Sequence, residues 1–189
     1  MNTDALWNLI DAVSGGDSIE DRVMLLADEV RRLDEEELLD FHRLVGEVHA
    51  ELDNDGLYGA ATAWMGFVSE DVFEFVRSWV IMHGRDAVSR VLADPDSLVD
   101  LPMTDEEEIG EAESLVFLAE QVHEERFGMP LTQRHPELDF LLNNEPSPGD
   151  LPSAKELRRL YPRCSSVKSR RLPLWPIRAL KRLRNAASR

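Results

Sequence analysis

Histidines are the side chains in this chain best suited to bind a metal ion, and their spacing follows no common metal motif. The five histidines, at positions 42, 49, 83, 123 and 135, include no pair at the i, i+4 spacing of a helical zinc site. His42 and His49 could share one helix face, but no cysteine or third ligand lies near them in the sequence. A metal site would have to be assembled from side chains on distant helices. Because the sequence contains no local ligand set, we predict no metal and no cofactor.

One stretch does combine aromatic, acidic and basic groups at two helix ends, and any active site should lie there. Its alternative interpretation is structural. At i, i+3 and i, i+4 spacing, Glu70, Glu74 and Arg77 would form a ladder of surface ion pairs. A histidine on the apolar face of a helix is usually satisfied by a hydrogen bond in the core or at the helix end. The candidate cluster consists of Trp64, Ser69, Glu70, Asp71, Arg77 and His83.

Other motifs argue against the common enzyme classes. The chain has no Walker loop, no G-x-G-x-x-G and no G-x-S-x-G. A calcium loop built on the acidic turn at residues 53–56 would place Thr62 where its bidentate glutamate should stand, so a turn that caps a helix is favoured. The single cysteine, Cys164, lies near Arg163 but has no histidine beside it, which favours a plain free thiol.

Helical periodicity dominates the pattern that must position these residues. Residues 69–83 begin with a favoured cap, Ser69, carry a wide apolar face and end at Gly84, which predicts a central helix. A further helix is predicted from a capping box at Thr104 and Glu107 to Phe127. We predict a mostly α-helical protein: a single compact multi-helix domain over residues 1–128, a Pro-rich connector with a short helix over residues 129–164, and a basic tail over residues 165–189.

Charge is segregated along the chain. Residues 1–154 hold 9 Lys and Arg against 36 Asp and Glu, a net charge of −27, whereas residues 155–189 carry +11. Such a tail could dock on its own acidic body, or bind nucleic acid, an anionic membrane or another protein. The residues expected to make the tail interaction are Trp175, Arg178, Lys181, Arg182 and Arg184.

The first residues carry an early Asp4 and no basic n-region, so we expect a cytoplasmic protein.

Several motifs together resemble the bacterial domain-of-unknown-function family 4240, over roughly residues 1–165. The resemblance implies a helical fold and assigns no catalytic residue. The motifs are Ala5-Leu-Trp-Asn-Leu-Ile10, Ser69-Glu-Asp-x-Phe-Glu-Phe-x-Arg-x-Trp79, Gly84-Arg85, Leu92-Ala-Asp-Pro-Asp-Ser-Leu98 and Leu157-Arg-Arg-Leu-Tyr-Pro-Arg163.

Three functional hypotheses follow. The leading one is a non-catalytic protein-binding module of the adaptor or immunity type, because the helical surface is acidic and no catalytic constellation is recognisable. The alternatives are a small enzyme with its site near the start of the helix at residues 69–83, and a tether to anionic membrane or nucleic acid through residues 165–189.

Overall fold

The computed structural model describes residues 1–103, 107–139 and 152–167, and every regular element in these ranges is helical. The prediction of a mostly α fold is confirmed. No helix in this part of the chain combines the length and the apolar character needed to cross a membrane. Two 3₁₀ segments, Pro95–Asp100 and Pro136–Leu138, accompany the α-helices, which are α1 (Thr3–Ala12), α2 (Ile19–Val30), α3 (Glu35–Leu52), α4 (Asp55–Met65), α5 (Glu70–Met82), α6 (Arg85–Ala93), α7 (Glu107–Glu111), α8 (Ser114–Phe127), α9 (Leu131–Arg134), α10 (Ala154–Leu160) and α11 (Pro162–Ser166).

Side-chain caps fix where several helices begin, because they satisfy amides that the first turn leaves unbonded. Asp34 and Glu37 form a complete capping box at the start of α3. The acidic turn that resembles part of a calcium loop caps α4 instead, since Asn54 Oδ1 accepts a hydrogen bond from Leu57 N at 3.0 Å. Ser69 Oγ accepts from Val72 N at the start of α5, as its position predicts.

Helix α5 lies at the centre of the fold, in contact with α2, α3, α4, α6 and α7. Its side chains Phe73, Val76, Trp79 and Val80 are almost completely buried. The helix ends at His83 and Gly84, and Gly84 has a positive φ of 87°. The central-helix prediction is therefore confirmed.

The surface ion-pair ladder predicted on α5 is wrong at Arg77, which is buried together with the neighbouring Ser78. Arg77 Nη1 lies 3.3 Å from Asp53 Oδ2 and 3.4 Å from the carbonyl oxygen of His49. Ser78 Oγ lies 2.8 Å from His49 Nε2. These polar partners on α3 and on the turn after it make burial of the two side chains tolerable, since a buried charge must be paired.

The single helix predicted up to Phe127 is two helices, α7 and α8. Between them Glu113 N bonds Gly110 O at 3.2 Å and Leu115 N bonds Ala112 O at 3.1 Å. Such i to i+3 bonds tighten the backbone into a turn and redirect the helix. The predicted cap Thr104 lies outside the described residues.

The closing segment, residues 153–167, packs on the helices that precede it. Helices α10 and α11 both contact α4, α11 also contacts the first 3₁₀ segment, and Leu157 and Cys164 are buried. The Asp96 carboxylate accepts hydrogen bonds from the backbone N–H groups of Arg163 and Cys164, both at 2.9 Å. The Arg163 guanidinium also pairs with Asp94 and Asp100. The predicted connector thus ends in two docked helices.

Candidate functional site

The structure does not bring the six residues of the predicted cluster together. Ser69, Glu70 and Asp71 lie at the start of α5, whereas His83 follows its last turn. The thirteen residues of α5 separate Ser69 from His83, which corresponds to about 20 Å along the axis. The two ends of α5 must be considered as separate sites.

Two of the six residues have structural roles. Trp64 is buried, and its ring centroid lies 5.9 Å from that of Trp79 in the core. Arg77 is paired with Asp53, and its guanidinium lies 5.1 Å from the Phe73 ring centroid. Burial lowers the pKa of Arg77, although Asp53 and Glu74 oppose that shift. Neither side chain is available to a ligand.

The start of α5 gathers carboxyl groups, and one of them, Glu113, was not singled out by the sequence pattern. Burial raises the pKa of Glu74. Burial also raises the pKa of Glu113, on the turn before α8, and the negative charges of Glu74 and Asp71 raise it further. A carboxyl group that stays protonated nearer neutral pH is what general-acid catalysis requires. This end of α5 is the part of the structure that best supports the enzyme hypothesis.

The other end of α5 borders a polar cleft of about 320 Å³ between α1 and the turn that joins α5 to α6. The cleft is comparable with the smaller ligand pockets of proteins. His83 is the one member of the predicted cluster that lines it. The lining residues are Asp4, Trp7, Asn8, Asp11, His83, Gly84, Arg85 and Asp86.

His83 lines this cleft, and both of its ring nitrogens contact backbone carbonyl groups. Its Nδ1 lies 2.8 Å from the carbonyl oxygen of Trp79, and its Nε2 lies 2.8 Å from that of Pro102. Carbonyl oxygens only accept hydrogen bonds, so both ring nitrogens face acceptors within the protein. His83 is thus a helix-end residue held against two backbone carbonyl groups, as its position in the sequence favours, and it is poorly placed to act as a base.

Gly84 allows α1 to approach the turn closely. A Cβ at this position would lie 3.0 Å from Asp11 Oδ1, and the backbone has φ 87° and ψ 176°, a region that is essentially restricted to glycine. The next residue, Arg85, pairs with Asp4 on α1, and its guanidinium lies 5.9 Å from the Trp7 ring centroid. Gly84 and Arg85 therefore join the two walls of the cleft.

Negative charge predominates in the cleft. Asp4, Asp11 and Asp86 contribute three carboxylates against the single guanidinium of Arg85. Among the described residues, no side chain forms a hydrogen bond or an ion pair with the carboxylate of Asp11 or Asp86. Two uncompensated carboxylates beside an aromatic ring make a site suited to a cation.

The cleft also joins two of the sequence motifs on which the resemblance to family 4240 was based. Trp7 and Asn8 come from the first motif, and Gly84 and Arg85 form another. Their separation in the chain gave no sign that they meet. The aspartates were missed as site residues because each resembles an ordinary exposed carboxylate on a helix.

Two further predictions concern other parts of the chain. Burial raises the pKa of the Cys164 thiol to about 12, with a smaller effect from Asp96, so this cysteine is an unreactive free thiol. The predicted tail residues Trp175, Arg178, Lys181, Arg182 and Arg184 lie outside the described residues.

Within the described ranges, one group of side chains of metal-ligating types lies close enough to share an ion. It consists of Glu35 on α3, His123 on α8 and His135 after α9, and their ligand atoms all lie within 4.8 Å of one another. The predicted absence of a metal site considered only spacing along the sequence, which does not show this group.

Comparison with protein families agrees with the motif resemblance. Residues 1–125 match the model of the family described as "Protein of unknown function (DUF4240)", so the matched region includes both walls of the cleft and ends before the closing motif at residues 157–163. Neither the curated proteins nor the solved structures include a match to the chain. The chain belongs to domain-of-unknown-function family 4240.

Proposed function

We propose that this protein is a non-catalytic, cytoplasmic module that binds another protein, and that its cleft between α1 and α6 accepts a lysine or arginine side chain of a basic segment in the partner. The observation that carries this proposal is the pair of uncompensated carboxylates, Asp11 and Asp86, at a cleft that already contains an aromatic ring.

The charge of the whole chain supports the same partner. Residues 1–154 carry a net charge of −27, so the field around the helical body attracts basic segments and speeds their encounter with it. Within the cleft, Asp11 and Asp86 would provide the specific contacts. A volume of about 320 Å³ suits one long basic side chain rather than a folded element.

The existing ion pair in the cleft does not prevent this interaction. Asp4 is 78% exposed and Arg85 is 46% exposed, and exposed pairs of this kind contribute only about 0–1 kcal/mol. A partner guanidinium can therefore displace Arg85 from Asp4 at small cost. The Trp7 ring beneath Arg85 would then offer its face to the incoming cation.

Synthetic peptide arrays with lysine and arginine at varied positions test the proposal, followed by titration calorimetry with the peptides that bind. The variant Asp11→Asn/Asp86→Asn should lose at least about tenfold in affinity, since charge-assisted hydrogen bonds contribute about 1.5–3 kcal/mol each. The control Glu51→Gln/Glu124→Gln changes the net charge equally at exposed positions on α3 and α8 and should bind like the parent.

The basic tail is itself a possible competitor for the cleft. A form of the protein that lacks residues 165–189 controls for this competition. We expect this form to bind the same peptides at least as tightly. Peptides that bind equally well to the Asp11→Asn/Asp86→Asn variant, or an array without a basic peptide among its ligands, would refute the proposed role of the cleft.

The enzyme hypothesis is the second candidate, favoured by the raised pKa values of Glu74 and Glu113 beside Asp71. It predicts a turnover that Glu113→Gln and Asp71→Asn both abolish while the fold is retained. The tether hypothesis rests on charge alone. It predicts that anionic vesicles or DNA bind the intact chain and fail to bind the form lacking residues 165–189.

A further inference from the structure

Three side chains from distant parts of the chain converge beside the first turn of α3. His123 Nε2 and His135 Nε2 each lie 3.9 Å from Glu35 Oε1. The three ligand atoms all lie within 4.8 Å of one another. Two imidazoles and one carboxylate form a common ligand set for transition metals in proteins.

His123 presents an unused lone pair to this group. The residue is 0% exposed, and its Nδ1 lies 2.7 Å from the carbonyl oxygen of Met129. Because a carbonyl only accepts hydrogen bonds, Nδ1 carries the proton and Nε2 is the acceptor. That buried Nε2 has no hydrogen-bond partner among the described residues. Leaving such an atom unsatisfied costs about 1–3 kcal/mol, which a bound ligand would recover.

His135 is arranged in the same way. Its Nε2 is buried without a hydrogen-bond partner in the described ranges, and its Nδ1 lies 3.4 Å from Glu137 Oε1. A metal-binding histidine usually donates its other ring N–H to a carboxylate or a carbonyl group, which fixes the tautomer. His123 shows this arrangement with the carbonyl oxygen of Met129, and the carboxylate of Glu137 lies within ion-pair distance of Nδ1 of His135.

We propose that Glu35, His123 and His135 bind one divalent transition-metal ion of the zinc class. The proposal is independent of the proposed function, because these residues lie outside the cleft. Two histidines and one glutamate leave at least one coordination position for water. Bonds of about 2.0–2.2 Å place tetrahedral ligand atoms about 3.3–3.6 Å apart, so binding would draw the 3.9 Å pairs together by roughly 0.3–0.6 Å.

Arg134 already pairs with the carboxylate of this group. Its Nη1 lies 3.2 Å from Glu35 Oε1, so a guanidinium holds the carboxylate when no metal does. The Arg134 side chain is 44% exposed and its guanidinium lies 5.5 Å from the Phe127 ring centroid, which gives it another contact when displaced. The metal and Arg134 therefore compete for one carboxylate. Removing the guanidinium should strengthen metal binding.

Calorimetric titration of the chelator-treated full chain with zinc chloride tests the site, and the visible absorption of the cobalt-loaded protein reports its ligand geometry. We expect one ion per chain. Glu35→Gln and His135→Ala should each weaken binding at least about 100-fold, because even outer-shell changes cost 10–100-fold. Both residues are partly exposed, so these variants should fold; the buried His123 is left intact.

Two further variants separate a site from nonspecific histidine binding. His83→Gln removes a histidine at the end of α5, outside the proposed metal site, and should bind zinc like the parent. Arg134→Gln should bind zinc several-fold more tightly. The proposal is overturned if the parent shows no saturable binding, if Glu35→Gln and His135→Ala bind as well as the parent, or if Arg134→Gln binds more weakly.

Discussion

The ring of Tyr161 occupies the space that a side chain at Gly59 would need, since a Cβ at position 59 would lie 2.8 Å from Tyr161 Cε2 and 2.9 Å from its hydroxyl oxygen. This contact joins α4, in the first third of the chain, to the segment between α10 and α11. It explains why the glycine lies in the middle of a helix, where glycine costs stability.

Gly59→Ala should therefore loosen the closing segment. The added methyl group has to displace an aromatic ring, and overpacking of this kind typically costs about 1–3 kcal/mol. Thermal unfolding should show the lower stability, and limited proteolysis should cleave faster within residues 153–167. Gly15→Ala is the matched control, because nothing lies within 4 Å of a Cβ at that position. Equal protease resistance in the two variants would contradict the packing described for Tyr161.

Trp79→Ala tests the central position of α5. The side chain is 0% exposed, so its truncation should cost about 3–5 kcal/mol in the free energy of unfolding. Phe67→Ala removes an aromatic ring that is 79% exposed and should leave stability nearly unchanged. Chemical denaturation of both variants would show the difference. An unfolding midpoint for Trp79→Ala close to that of the parent would exclude a core position.

Asp53→Asn tests the buried charge of Arg77. Removing one partner of a buried pair leaves an uncompensated charge and typically costs about 3–5 kcal/mol. In the double variant Asp53→Asn/Arg77→Met no buried charge is left, so part of that stability should return. Equilibrium unfolding of both variants measures the recovery. If the double variant is no more stable than Asp53→Asn, the uncompensated charge of Arg77 is not the cause of the loss.

His49 predicts part of the acid sensitivity of the fold. Burial, assisted by the positive charge of Arg77, lowers the pKa of His49 from 6.5 to about 3. Between these values the unfolded chain binds a proton that the native protein does not, so the free energy of unfolding falls as the pH falls. From about pH 7 to about pH 4 the loss should be about 3 kcal/mol.

His49→Gln should show a smaller loss of stability over the same range, because glutamine does not titrate and its amide can still bond Ser78 Oγ. Urea unfolding of the parent and the variant at both pH values measures the difference in slope. Parallel pH dependences would show that His49 is protonated equally in the two states.

The sequence predicted the features of this fold that depend on local periodicity and capping. Ser69 begins α5 where expected, and the apolar stripe of this helix is buried. Arg77 shows the limit of this reasoning. Helical spacing places it opposite the apolar residues, and only the fold brings Asp53 beneath its guanidinium.

The acidic cleft and the proposed metal site could not be predicted from the sequence for a related reason. Asp11 and Asp86 carry no local pattern that distinguishes them from other exposed aspartates, and only the contact of α1 with the α5–α6 turn unites them. Glu35, His123 and His135 likewise come together through packing of α3, α8 and α9 rather than through spacing. Sites assembled from separate helices have no signature in a single sequence.

Backbone NMR tests most directly whether the cleft between α1 and α6 binds a basic side chain. A titration of the labelled full chain with an arginine-containing peptide from the array should shift the amide resonances of residues 4–11 and 83–86 first and most. These shifts should weaken with added salt, since the Debye length falls to about 10 Å at 0.1 M. Saturable binding that shifts resonances elsewhere and leaves both of these segments unchanged would contradict the claim.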